Sequence, residues 1–380
     1  MWRQVQLKAI ARPILRQVVV NPGSAYRTIG VKWRGEGAYE RQTIDGSQTA
    51  AKTLSLVREG DLVINKIWVR HGSTAIASSA VDGCAASGEF PTFELDTDQV
   101  LPRWLHWQTK TKEFWNKCDS LSRGTSGKNR IKPDLFLTIE IPLPPLIEQR
   151  RIVACIEELA AKIEEARRVR IEVENEQQLL LTAAYRRIAQ GAQHRSLSDV
   201  APLTRRPVAI DPEMDYPQIA VRSFGRGTFH KPPLAGSEVT WQKPFLVKTG
   251  DILISNIKAW EGAIGVVKRE DNDRVGSHRY LTCVPRSSVA TARFVCFHLL
   301  TPEGLHNVGE ASPGSADRNR TLSAKALLEI PIPVPAFEQQ VWFDRICHEV
   351  DTLKRLQTET SAELNALMPS ILSRAFADEL

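Results

Sequence analysis

Ile141-Pro142-Leu143-Pro144-Pro145-Leu146-Ile147-Glu148-Gln149 decides the fold of this chain, because it occurs twice. It returns as Ile330-Pro331-Ile332-Pro333-Val334-Pro335-Ala336-Phe337-Glu338-Gln339, with one residue inserted. Proline at this density prevents helix and favours an extended, semi-rigid connection. After each copy, the Glu-Gln pair opens a long, uninterrupted helical pattern. Each copy therefore marks a junction between a strand-rich region and a helix.

In the first helix Ile152, Ile156, Leu159, Ile163, Ala166, Val173 and Leu180 recur at spacings near three and four, with charges such as Glu157, Lys162 and Arg167 on the other faces. This heptad-like seam runs about 40 residues, roughly 60 Å of helix. The second seam reads Trp342, Ile346, Val350, Leu353, Leu356, Leu364, Leu367 and Ile371, and Pro369 should kink or break it near its end. Neither helix can bury a seam alone, so the two are expected to pack on each other, antiparallel. Gly191, where the first helix hands over to the second half of the chain, is the point at which added residues should lengthen the connection.

Ahead of each bridge lies a polar, strand-rich region, about 1–140 and then 191–330. Shifting the numbering by 190 places Pro22 on Pro212, Tyr26 on Tyr216, Gly60-Asp61 on Gly250-Asp251, Gly124 on Gly314 and Arg130 on Arg320. The same shift places Pro145 on Pro335 and Glu148-Gln149 on Glu338-Gln339. A period this long is a duplicated domain rather than a solenoid repeat. Leu62-Val63-Ile64 and Ile76 read as short buried strands, with turns at Asp45-Gly46, Asp82-Gly83 and Ser87-Gly88. Trp104, Leu105, Gln108 and Trp115 stand at helical spacing and read as core rather than as base-stacking aromatics. The expected architecture is α+β: two tandem mixed α/β domains joined by two long antiparallel helices, with pseudo-twofold symmetry. Such a molecule presents one kind of surface twice, which suits a partner that is itself twofold, and duplex DNA is the commonest.

Composition narrows the function classes. No apolar run approaches bilayer length, and the segment Met1-Trp2-Arg3-Gln4-Val5-Gln6 lacks the features of a signal peptide, so a cytoplasmic protein is expected. The six cysteines lie far apart with no C-x-x-C pair and read as reduced thiols. Residues 1–190 hold 28 Lys/Arg against 22 Asp/Glu, and residues 191–380 hold 22 of each, so the whole excess of +6 sits in the first half. That balance permits nucleic-acid binding without requiring it.

Catalytic signatures are missing. There is no G-x-x-x-x-G-K-[ST] phosphate loop, and Gly35-Glu36-Gly37 and Gly225-Arg226-Gly227 lack the third glycine of a dinucleotide site. Asn21-Pro22-Gly23 lacks the aromatic residue of an adenine-methyltransferase motif. Pro133-Asp134 with Glu140 lacks a nuclease's lysine two residues on, where Pro142 stands. The eight histidines form no H-x-x-x-H or H-E-x-x-H pair, so neither an active site nor a metal site is expected.

What remains is a set of polar loops that occurs twice. The first copy offers Lys32, Arg34, Arg41, Asn65, Lys66, Arg70, Arg123, Ser126, Lys128, Asn129 and Arg130 as DNA-binding candidates. The second offers Arg222, Arg226, Asn256, Lys258, Arg279, Ser315, Arg318, Asn319 and Arg320. Arg and Lys can bridge guanine acceptors, Asn can pair with adenine, and glycine lets backbone amides approach phosphate. Lys128 suits phosphate contact and Asn129 suits adenine.

The two proline bridges, the Gly-Asp-Leu-Val-Ile of 60–64, the Gly-Asp-Ile-Leu-Ile of 250–254 and the closing Met368-Pro-Ser-Ile-Leu-Ser-Arg-Ala-Phe-Ala-Asp-Glu-Leu380 together resemble the specificity subunit of type I restriction–modification systems. The resemblance covers essentially the whole chain. It implies a first target-recognition domain at 1–140, a bridge and first spacer helix at 141–190, a second recognition domain at 191–330, and a bridge and second spacer helix at 331–380. Each domain would read one half of a split sequence in double-stranded DNA, and the helices would set the gap. Two adenine-methyltransferase subunits would dock on it, and a restriction/translocase subunit would join for cleavage. S-adenosylmethionine would belong to the methyltransferase, and ATP and Mg to the motor, with no cofactor on this chain. The rival reading is a non-catalytic interaction scaffold that reads no sequence, and a self-contained modification enzyme is a third.

Overall fold

The computed structural model describes residues 2–124, 129–239, 243–314, 320–377 and 379. They form two compact units, Met1–Val169 with Thr358–Leu380, and Arg170–Gln357.

In the first unit a strand buried on both faces organises the domain. Leu62 and Ile64 of Leu62–Ile64 point into one core and Val63 into another, which is why Gly-Asp is followed by an unbroken apolar run. This strand lies in a four-stranded sheet, in the order Ala11–Ile14, Thr92–Leu95, Leu62–Ile64, Thr74–Ile76. A five-stranded sheet covers the smaller core, ordered Gln17–Val19, Thr53–Leu56, Ala85–Ala86, Ala25–Val31, Ala38–Asp45, with one parallel pairing, between Ala25–Val31 and Ala85–Ala86.

The second unit rebuilds this plan. Ile252 and Ile254 of Ile252–Ser255 face one core and Leu253 the other. Its sheets follow the same order, including one parallel pairing of Asp215–Val221 with Val275–Gly276, while single bridges at Leu203 and Pro207 stand where the first unit has strands.

The recurring Gly-Asp pairs are clasps. Asp61 is buried and takes both guanidinium nitrogens of Arg16 (2.5 and 3.1 Å) and the Arg58 amide (2.8 Å). Asp251 does the same with Arg206 (2.6 and 3.1 Å) and the Lys248 amide (2.8 Å). Such bidentate, charge-assisted contacts fix the entry of the buried strand in both domains.

The proline bridges are extended, and each pairs with its domain's N-terminal strand: Glu140–Pro142 with Gln4–Gln6, and Pro331–Val334 with Gln193–Ser196. Pro331 and Pro333 fall on alternate residues, so both missing donors face the ribbon's free edge. The aromatic stripe of the first domain forms two helices rather than one, Pro102–Gln108 and Lys112–Leu121, the second capped by the Thr111 hydroxyl. Trp104 and Leu105 are core, as their spacing predicts.

The long helices span Leu146–Ala189 and Phe337–Phe376, the second continuing unbroken through Pro369. In the first unit Ile152, Val153 and Ile156 share a core with Leu372 and Ala375. In the second unit Leu181, Ala184 and Tyr185 share one with Phe343, Cys347 and Val350. The start of each helix thus packs with the end of the other, and the pair is antiparallel. The seam of the second helix is partly the expected one, with Val350 buried and Ile346 and Ile371 packed against the cores, and partly shifted by a residue. Phe343 and Cys347 are buried, whereas Trp342, Leu353, Leu356 and Leu367 are exposed, as is Leu180 on the first helix. Each helix carries two adjacent apolar stripes, and periodicity alone does not say which one faces its partner.

The repeat register also needs correction. Ser122 and Ser312 hold equivalent places at an offset of 190, each hydroxyl bonding the carbonyl four residues earlier. By Ile131 and Leu322 the offset is 191, since their amides donate to the equivalent carbonyls of Lys66 and Asn256. The extra residue therefore lies between Ser312 and Leu322, not in the proline bridge. The true counterpart of Gln149 is Gln340, and that of Pro144 is Pro335.

Both glutamines are fully buried. Gln149 accepts from the Leu101 amide (2.8 Å) and donates to the carbonyls of Gln99 (2.9 Å) and Pro144 (2.8 Å). Gln340 accepts from the Thr291 amide and donates to Val289 and Pro335, all at 3.0 Å. One amide in each unit thus joins the domain, the bridge and the helix.

Candidate nucleic-acid interface

Three segments of each domain meet at one place. The first is the tip of the hairpin Ala25–Val31/Ala38–Asp45, where Arg34 (φ 56°) and Gly35 (φ 67°) adopt left-handed conformations. The second is the loop after the buried strand. There the Asn65 carboxamide oxygen accepts from the amides of Ile67 (3.0 Å) and Trp68 (3.2 Å), and Gly72 (φ 77°) closes a turn at Val69–His71. The Gly35 amide ties tip to loop through the Gly72 carbonyl (2.7 Å). The third segment reaches Lys66 through the Ile131 amide.

The second domain repeats every tie. Phe224 (φ 62°) and Gly225 (φ 63°) turn the tip of Asp215–Val221/Thr228–Ala235, and the Gly225 amide meets the Gly262 carbonyl at 2.9 Å. A turn at Ala259–Glu261 is closed by Gly262, and the Leu322 amide meets Asn256.

This frame gathers most of the predicted residues but does not leave them equally available. Lys32 and Arg34 are exposed at the tip, with Lys32 over the Tyr39 ring. Arg41 lies farther along the hairpin as the extra, exposed residue of a bulge opposite Thr28 and Ile29. Arg123 turns back on the preceding helix, donating to the carbonyls of Ser120 (2.5 Å) and Ser122 (3.1 Å). Asn129, with its amide oriented to satisfy both neighbours, donates to Gly124 (2.9 Å) and accepts from Arg70 (3.3 Å), so it closes the neck of its own loop. Arg130 pairs with Glu89 at 3.2 Å. Lys66 is half-buried beside this neck.

In the second domain Arg222 lies over Phe229 (4.8 Å) and Arg226 over Phe224 (5.8 Å). Lys258 and Arg320 both approach the Trp260 ring, at 5.4 and 5.2 Å, and Arg320 also donates to the carbonyls of Ser312 and Gly309. Arg279 is exposed, and its carbonyl accepts from the Asn256 amide. The Asn256 side-chain oxygen is buried without a partner among the described residues. Ser126, Lys128, Ser315, Arg318 and Asn319 lie outside the described residues.

The frame also brings together three aromatic side chains that are not among the candidate DNA-binding residues. Trp33, Trp68 and His71 cluster in the first domain with ring centroids 5.0–5.8 Å apart. Their signal was present in the neighbours, since Trp33 sits between two predicted cations and His71 follows Arg70. In the second domain Glu261 was missed. The hydrogen bond from Lys258 holds its carboxyl below the usual range, with Ser223 helping. Among the described residues no cluster of His, Cys, Asp or Glu could hold a metal ion, and no helix is long and apolar enough to cross a membrane. All six cysteines are free, and burial pushes the thiols of Cys283, Cys296 and Cys347 up to about 12.

No protein-family model and no curated protein matches this sequence. Solved structures do. The chain is similar to the HsdS subunit from Thermoanaerobacter tengcongensis, with 24% identity and a TM-score of 0.60, over 100% of this chain and 97% of that one. It is also similar to a chain from a structural study of complex assembly and conformational transition in the type I R-M system. There the identity is 22% and the TM-score 0.71, over 100% and 98%. Over its whole length, the chain has the fold of a type I restriction–modification specificity subunit.

Proposed function

We propose that this chain is the DNA sequence-specificity subunit of a type I restriction–modification complex. Each recognition domain reads one half of a gapped site, and the helices set the gap and dock adenine-methyltransferase subunits. The observation that carries the reading is the three-segment frame. It is built twice from the same backbone ties, is rimmed in both domains by exposed cations, and differs between domains in the side chains at its centre. A scaffold that bound one partner twice would have reason to keep those side chains alike, whereas a reader of two different half-sites has reason to change them. Exposed Leu353 and Leu356 on the second helix and Leu179 and Leu180 on the first offer apolar surface to partner subunits. S-adenosylmethionine, ATP and Mg belong to those partners in this reading, the chain itself is non-catalytic, and the complex works in the cytoplasm.

The test is binding of the chain, purified with its methyltransferase partner, to duplexes carrying two half-sites at varied separation. The reading expects one preferred gap and a 10³-fold or greater preference over scrambled DNA, the order typical of specific binding. Equal affinity for all duplexes would favour the interaction-scaffold reading, and methyl transfer by the isolated chain would favour an enzyme.

A further inference from the structure

The two frames carry different chemistry at the same three positions. The shared ties between Gly35 and Gly72, and between Gly225 and Gly262, place Trp33 with Ser223, Trp68 with Lys258 and His71 with Glu261. In the first domain these positions hold the three-ring cluster, with Trp33 50% exposed. In the second, Glu261 accepts from the Ser223 hydroxyl (2.8 Å) and from the Lys258 ammonium (2.5 Å). Exposed cations flank both: Lys32 and Arg34 beside the first cluster, and Arg222 and Arg226 beside the second, of which only Lys32 and Arg222 hold the same position. The backbone ties are thus held constant, and each tip carries two exposed cations, while the centre changes from a cluster of two indoles and an imidazole to a carboxylate with its two donors. Phosphate attraction accounts for the constant part and carries no sequence information. The variable part has the chemistry of base recognition.

We propose that these three positions are the specificity-determining contact of each domain. The first reads an A·T pair through apolar contact with the thymine methyl group. The second reads a G·C pair, with Lys258 donating to guanine O6/N7 and Glu261 accepting from cytosine N4. This rests on the DNA-reading function proposed above.

The test is the genomic methylation pattern in cells expressing the chain with its methyltransferase partner. Trp33→Ala relaxes discrimination at one A·T position of the first half-site by roughly 10–100-fold and leaves the second half-site unchanged. Trp33→Phe keeps most of the discrimination. Glu261→Gln relaxes one G·C position of the second half-site by a similar factor and leaves the first unchanged. Should Trp33→Ala abolish methylation, restoration by Trp33→Phe supports the proposal, and failure of both variants overturns it. It is also overturned if the wild type methylates a gapped site and these variants leave its sequence intact or alter the opposite half. A wild type that produces no gapped pattern fails the functional reading itself, which is a separate result.

Discussion

Replacing Gln149 by alanine tests how the first domain is held on its helix. The side chain has no exposed surface and makes three hydrogen bonds, to the Leu101 amide and to the carbonyls of Gln99 and Pro144. Alanine leaves one donor and two acceptors without partners, each costing about 1–3 kcal/mol while it stays buried. Local relaxation that admits water favours the low end, so the expected loss is about 3 kcal/mol, a large share of a domain's usual 5–15 kcal/mol. With a urea slope of about 2 kcal/mol/M, the first unit's unfolding midpoint falls by about 1.5 M. Tryptophan fluorescence is a suitable assay, because six of the nine tryptophans lie in residues 1–169. Gln149→Leu restores volume without the bonds and should lose nearly as much. Glu148→Ala, which removes only an exposed pairing with Arg151, should not move the midpoint measurably. A midpoint unchanged in Gln149→Ala, or restored in Gln149→Leu, would refute the hydrogen-bonded junction.

Two further outcomes rest on the same geometry. His298 is buried between the Tyr185 hydroxyl (2.6 Å) and the Pro331 carbonyl (3.1 Å), and burial holds its pKa below the ordinary 6.5 against the raising effects of the Pro331 hydrogen bond and Glu303, with His194 a small further lowering. With His298 neutral and Tyr185 pushed up to about 12 by burial, the Tyr185 hydroxyl donates to Nδ1 and the imidazole Nε2–H donates to the Pro331 carbonyl. The unfolded chain binds a proton that the folded one refuses. Stability of the second unit is therefore full above the ordinary pKa and declines as pH falls below it, by at most about 1.4 kcal/mol per pH unit. His298→Gln, which matches Gln108 in the first domain, should flatten the thermal-unfolding profile between pH 7.5 and 5.5, and an unaltered slope would count against this assignment. For the spacing, seven residues added to both helices, at 169/170 and at 357/358, extend each by about 10 Å. The unmethylated gap should then widen by about three base pairs, at roughly 3.4 Å each. Four residues added at Gly191 should leave the gap alone, and the reverse result would move the ruler elsewhere.

That last contrast shows where sequence reading reached and where it stopped. The duplication, the extended bridges and the long helices are local patterns of proline and apolar spacing, and they were legible. Gly191 looked like the point that sets spacing, because it ends the helix. But Leu181, Ala184, Tyr185 and Ile188 already seat that helix end in the second unit's core, so slack added after them should change nothing upstream. Gln149 was legible as a recurring letter, but its partners lie about fifty residues away in Gln99 and Leu101, and only the fold brings them to it. The same distance problem blurred the site. Arg123 and Asn129 looked free for DNA, but backbone carbonyls and Arg70 engage them. Trp33 and Trp68, 35 residues apart, meet only because Gly35 bonds Gly72.

The central claim is that two separate readers share one frame, and domain replacement tests it most directly. Residues 191–330 are exchanged for a second copy of residues 1–139, their counterpart once the extra residue before Leu322 is counted, and the methylated genomic sequence is determined in cells that also express the methyltransferase partner. The account predicts that the first half-site persists and that the second is replaced by an inverted copy of the first. A sequence that keeps its original second half, or in which both halves change together, would contradict it.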